Sequence, residues 1–268
     1  MKKVSALIMA LTAILFAGAQ SIKPVVGKKM QVVVSSANSM SISPMGDNID
    51  IESTNITTCD YLITAVTEKG YSLETKVLRI QGSAKGAGFE KSFDSENETD
   101  RNEPGFAEAA KLLGKTNLIK IEDHQAYIVS GEVLNSLALI GMKDATSEFV
   151  KFILYKDDLA KMRTGYHWID TLQTESMKLS AESEVTAITE TIVEITVKTK
   201  LDMHTTIQQM GMEVKMNLTG KMDSKRYYSL ATGIMIREEG DMLADGEGGT
   251  MGQQIPMKMK THIKMTVK

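Results

Sequence analysis

Residues 255–268 read IPMKMKTHIKMTVK. Ile255, Met257, Met259, Thr261, Ile263, Met265 and Val267 take every second position, and Lys258, Lys260, His262, Lys264 and Lys268 stand among the positions between. A period of two puts alternate side chains on opposite faces of a strand. One face of this strand is therefore apolar and the other charged, the mark of a sheet with one buried side.

Working back along the chain, the same phase recurs. Met212, Val214, Met216, Leu218 and Met222 alternate, as do Val193, Ile195, Val197, Leu201 and Met203. KRYYSLATGIMIREEG (225–240) reads as a strand, a turn at Thr232-Gly233 and another strand, and DMLADGEGGTMGQQ (241–254) as a flexible polar loop. Residues from about 28 to 94 show a second strand-rich section. MQVVV and MSISPMGDNIDIEST lie around a Pro44/Gly46 turn, and two long strands flank Lys69-Gly70. Ile49, Ile51, Cys59, Tyr61 and Ile63 share one parity there, which places Cys59 on a buried side.

Residues from about 95 to 165 read differently. Pro104 and Gly114 suit the start and end of a helix carrying Phe106, Ala109, Ala110 and Leu113. TNLIKIEDHQAYIVSG (116–131) reads as a hairpin turning near Asp123–Gln125. Phe149, Phe152, Ile153 and Met162 then suggest a helical stripe that stops at Gly165. About ten strands in one sheet favour curling or closure. The expected fold is α+β: a large curved antiparallel sheet, a half-barrel-like meander over about 28–94 and 166–268, with a central helical insertion, about 95–165, on its concave face.

The N-terminus, MKKVSALIMALTAILFAGAQ, joins Lys2 and Lys3 to an apolar run from Val4 to Phe16 and a small-residue site at Ala17-Gly18-Ala19. These are the parts of a secretory signal peptide, residues 1–19, leaving a single domain over 20–268. Gln20 stands where a lipoprotein would carry cysteine. The expected location is the periplasm or the exterior, with no lipid anchor and no membrane span after cleavage.

Composition excludes several chemistries. One cysteine rules out an internal disulfide and a cysteine-rich zinc site. A net charge of −3 and 5% aromatics give no footprint for nucleic acid. No H-E-x-x-H or G-x-S-x-G occurs. Gly82, Gly86 and Gly88 lack dinucleotide-binding spacing and read as a mobile hairpin loop. Asp94, Glu96, Glu98 and Asp100 resemble a calcium loop only loosely and read as an acidic solvated segment. Met-x-Met pairs with His204 and His262 raise copper(I) as an alternative, but strand alternation explains the methionines as packing residues. Lys215, Lys221, Lys258, Lys260 and Lys264 read as a solvated face, and Trp168 as an anchor. No catalytic residue, metal or cofactor is expected.

Two resemblances add to this reading. Phe93-Asp94-Ser95, the helix near Phe106–Leu113, Leu113-Gly114-Lys115 and YYSLATGIMIREEG resemble a secreted bacterial family of unknown function. EDHQA departs from the glycine-bearing turn of that family, and the resemblance implies no catalytic residues. The order of elements also resembles the LolA/LolB and mycobacterial lipoprotein-carrier half-barrels, which implies lipid held between a curved sheet and helices.

The functional expectation is non-catalytic binding of an apolar or lipid-like ligand in a Met/Ile/Val-lined cavity. Its lining residues are Met212, Val214, Met216, Met257, Met259, Ile263 and Met265, with Phe149, Phe152 and Ile153 as lid residues. The alternative is a structural or protein-interaction module of the envelope with a filled core, whose partner is another envelope protein.

Overall fold

The computed structural model describes residues 25–43, 48–86, 88–103, 110–123, 125–131, 151–154, 162–173, 177–209, 212–250 and 253–268. The expected signal peptide, Phe149 of the expected helical stripe, and Phe106 and Ala109 of the expected first helix lie outside them.

The chain forms β1 (Lys29–Ile42), β2 (Ile49–Val66), β3 (Gly70–Gly86), β4 (Phe89–Asp94), a one-turn helix α1 (Glu98–Arg101), β5 (Thr116–Glu122) and β6 (Gln125–Ser130). It continues with β7 (His167–Gln173), β8 (Met177–Ile188), β9 (Ile192–Gln209), β10 (Met212–Ser229), β11 (Met235–Thr250) and β12 (Gln253–Val267). All twelve strands belong to one sheet, in the order β6-β5-β3-β2-β1-β12-β11-β10-β9-β8-β7, with β4 paired to the far part of β3. Every pairing between these strands is antiparallel. The first and last strands meet at the centre, and each wing is a meander.

The α+β expectation is overturned. The described residues are nearly all β and contain no helix of seven or more residues, so there is no central helical insertion among them. Within 95–165 the sequence instead supplies β5, β6 and α1. Phe152 and Ile153, read as part of a helical stripe, are adjacent and both buried, and Ile153 makes a bridge with Ile234. A short apolar run has no reliable period, so its length and neighbours decide the element rather than its spacing.

A second correction concerns 241–254. The expected polar loop is largely β11, paired along its length with β10 and β12. Its inward positions are Gly240, Met242, Ala244, Gly246 and Gly248, and small residues there hide the alternation. Gly246 has a steric reason: a Cβ would meet the Asn217 carbonyl oxygen at 2.0 Å. The expected GSAKGAG loop is also mostly strand, with β3 continuing to Gly86 and Gly88 turning at φ +80°. The hairpin at Asp123 is as expected, with Asp123 in the left-handed region at φ +48°.

The packed core sits at one end of the sheet. Ile63, Leu73 and Ile119 on one wing, and Ala181, Val185 and Val193 on the other, have no exposed surface. They belong to one cluster with Phe152 and Ile153. Residues 151–154 are the plug of this cluster. The Met235 amide donates to the Phe152 carbonyl at 2.9 Å, the Leu154 amide to the Gly233 carbonyl at 2.9 Å, and the Tyr228 hydroxyl to the Lys151 carbonyl at 2.8 Å. The Phe152 ring reaches Tyr61 on β2, with centroids 5.2 Å apart. A flat sheet would hold β2 and β11 about 14 Å apart, so the sheet curls around this segment.

The Phe-Asp-Ser run is a staple rather than an ion site. Asp94 accepts from Arg79 Nε at 3.0 Å and Nη2 at 2.5 Å, and its own amide donates to Asp100 Oδ2 at 2.8 Å. Ser95 Oγ accepts from the Ile80 amide at 2.9 Å. The Arg79 guanidinium and the Glu96 amide hold the Asp94 carboxyl down to about 2. Its stabilising contribution is complete above the ordinary aspartate value of about 4 and is lost as pH falls through the folded value. Asp94→Asn is therefore expected to destabilise the protein at pH 5 to 7 and to lose that effect near pH 2, as read by urea melts across that range.

Candidate functional site

Strand register lays the inner face out in rows across the sheet. Nearest the packed end, one row runs Thr57, Val34, Met265, Glu238, Arg226, Ile195, Val185. The next runs Asn55, Ser36, Ile263, Gly240, Ser224, Val197, Ser183, and the third Ser53, Asn38, Thr261, Met242, Met222, Thr199, Ala181. Beyond them lie Ile51, Met40, Met259, Ala244, Gly220, Leu201, then Ile49, Ile42, Met257, Gly246, Leu218, Met203. The inner face thus has an apolar packed end, a polar belt, and a methionine-rich far end.

The far end differs from the core in exposure. Met40, Met216, Met257, Met259, Ile42, Ile49, Ile51 and Ile255 are all half-buried. Met177, Met203 and Leu218 form a second small buried cluster there. Half-buried thioethers on an inward face make a flexible, polarizable surface suited to varied apolar shapes.

The expected site residues divide accordingly. Met216, Met257 and Met259 meet on this half-buried face, and Ile263 sits in the belt between Ser36 and Gly240. Met265 belongs to the packed core. Met212 and Val214 pair with Gln209 and Ile207 on β9. Phe152 and Ile153, expected as lid residues, are buried in the packed core, where their backbone is bonded to the β10–β11 turn. His204 and His262 occupy the outward parity, opposite the methionines, where His262 Nδ1 lies 3.0 Å from Asp241 and His204 Nδ1 3.0 Å from Asn217. The lysines of β10 and β12 also face outward, with acidic β11 between them: Lys258 opposes Asp245 and Lys264 opposes Glu239. That face has interleaved charge rather than a cationic patch.

Composition did not reveal the buried ion pair. Arg226 Nε donates to Glu238 Oε1 at 2.8 Å, with side chains only 12% and 14% exposed, and Ser224 adds a hydroxyl at 3.3 Å. The nearby Lys151 amine is held down to about 8, first by burial and then by Arg226. The phase of Arg226 with Met222 and Ser224 was the one available signal. Arg226→Met leaves Glu238 without its cation and is expected to cost about 3–5 kcal/mol. Arg226→Met with Glu238→Leu is expected to stay within about 1 kcal/mol of the parent, because replacing both charges removes the desolvation penalty as well. Chemical denaturation of the two variants checks this.

No cluster of three metal-ligating His, Cys, Asp or Glu side chains occurs among the described residues. Two open grooves lie on or beside the β1–β4 wing: one is lined by polar groups such as Thr54, Gln81 and Ser83, and the other by Asn38 and Ser53 together with Ala37, Ala84, Lys260 and His262.

The sheet is similar in fold to part of lipovitellin. A solved structure described by its lipid–protein interactions matches with a TM-score of 0.52 at 9% identity, covering 91% of this chain and 25% of that one. The chain thus spans about a quarter of lipovitellin's length. The likeness concerns the fold alone. DynF of the dynemicin pathway of Micromonospora chersina, at 7% identity, has a TM-score of 0.25 and covers 93% and 86% of the two chains. An outer membrane channel from Pseudomonas putida F1, at 8% identity, has a TM-score of 0.29 and covers 94% and 99%. Neither supports an argument. No family model and no curated protein matches the chain. The resemblances to the secreted family and to the lipoprotein carriers therefore gain no support.

Proposed function

We propose that this protein is a non-catalytic carrier or receptor of an apolar or lipid-like ligand, held against the methionine-rich end of the inner face. The observation that carries this is the half-buried state of Met40, Met216, Met257 and Met259 on a face whose other end is fully packed. A filled core would have buried them as it buries Met30 and Met235. Covering them with hydrocarbon removes apolar surface from water, worth about 25 cal/mol per Å². The lipid–protein interactions named for lipovitellin, whose sheet this one resembles, point the same way. The N-terminal pattern of Lys2 and Lys3, an apolar run and Ala17-Gly18-Ala19 supports a secreted protein of the periplasm or the exterior.

Native mass spectrometry of protein purified without detergent, followed by organic extraction, tests the reading. A reproducible adduct whose extract is a lipid or another long-chain molecule supports it. Protein that is ligand-free and takes up no long-chain molecule counts against it.

One observation favours a second reading, an envelope protein partner. Edge strand β6 exposes Tyr127, Ile128 and Val129, and such an edge invites pairing with another strand. Crosslinking from Tyr127 in cells distinguishes the two.

A further inference from the structure

The polar belt extends the reading above and rests on it. Thr261 lies at the centre of the sheet, 5% exposed, between Asn38 on β1 and Met242 on β11. Its hydroxyl has no hydrogen-bond partner among the described residues. Buried hydroxyls are normally paired, and an unpaired one is costly. Around it, Asn38 Nδ2 donates to Ser53 Oγ at 3.3 Å and reaches Ser36 Oγ at 3.5 Å. Asn55 lies one row away, paired in register with Ser36. Five neighbouring inner-face positions thus offer hydroxyl or amide groups beside the methionine rows.

Charge narrows what such a belt accepts. The inward positions of β1, β2 and β12 carry no ionisable group except Cys59 and Tyr61 at the packed end. On β10 and β11 they carry Arg226 and Glu238, which pair with each other, and Tyr228 in the packed core, with the Lys151 amine near that pair at the packed end. Beside Thr261, Asn38 and Ser53 a carboxylate or phosphate would lose its water without meeting a cation on β1, β2 or the inner face of β12. A hydroxyl or ester would exchange water for donors and acceptors already in place.

We propose that the belt seats the uncharged polar head of an amphiphile, with the Thr261 hydroxyl as a direct hydrogen-bond partner and the hydrocarbon chain lying over Met40, Met257 and Met259. The ligand class is a neutral hydroxyl- or ester-bearing lipid such as a monoacylglycerol, not a free fatty acid or a phospholipid.

Native mass spectrometry of the full chain, titrated with 1-monooleoylglycerol, oleate and 1-octadecene, tests this. Their hydrocarbon chains are similar and their head groups differ. The parent should bind the monoacylglycerol at least about tenfold more tightly than oleate. Thr261→Val, which keeps the shape and removes the hydroxyl, should weaken monoacylglycerol binding about five- to tenfold. It should leave octadecene binding within about twofold and the melting temperature unchanged or higher. Ser53→Ala is the second variant, with the same expected direction. Oleate bound as tightly as the monoacylglycerol, or no loss in either variant, overturns the head-group assignment. If octadecene still binds, the apolar-ligand reading survives that result. If none of the three probes binds, both fall.

Discussion

Phe152→Ala should be the most damaging single truncation in the described core, lowering unfolding free energy by about 3–5 kcal/mol in urea melts. Phe152 is 1% exposed, and its ring packs on Tyr61 while its carbonyl is fixed by the Met235 amide. The neighbouring backbone bonds, from Tyr228 to Lys151 and from Leu154 to Gly233, prevent the segment from sinking into the space left behind. A void should therefore persist, and voids carry a cost beyond lost transfer energy. Phe152→Leu keeps most of the volume and should cost less than about 1.5 kcal/mol. Equal effects of the two would show that the ring is not clamped between the wings.

Met259→Glu should abolish uptake of an apolar ligand, with affinity falling more than about tenfold. Met259 sits on the inner face of β12 between Met40 and Ala244. A carboxylate there keeps water where hydrocarbon must lie. The adjacent Lys260 points to the other face and is exposed. Lys260→Glu should leave uptake within about twofold, although it changes net charge by one unit more. Binding of 1-octadecene measured for both variants separates the faces of a single strand. Equal losses would point to bulk electrostatics or misfolding instead.

The terminal strands could be read from sequence because large apolar and long charged side chains alternate on them. Met257, Met259 and Met265 against Lys258, Lys260 and Lys264 leave little choice of face. β11 was hidden because its inward residues include Gly240, Gly246 and Gly248, whose small size signals close backbone approach rather than burial. The plug was misread because two adjacent apolar residues fit a helical stripe as well as a strand bridge. The polar belt and the Arg226–Glu238 pair depend on cross-strand register, which brings together residues far apart in the chain. No local pattern encodes that. The methionine face was read from two strands, through Met216 on one and Met257 and Met259 on the other, and its extent over Met40 and Ile51 required the neighbours.

Methionine-methyl NMR during titration with 1-octadecene tests the central claim most directly. Protein carrying ¹³C at the methionine methyls should show saturable shifts at Met40, Met257 and Met259, while Met30 and Met235 in the packed end stay where they are. Saturating ligand that leaves the first three resonances unmoved would contradict the account.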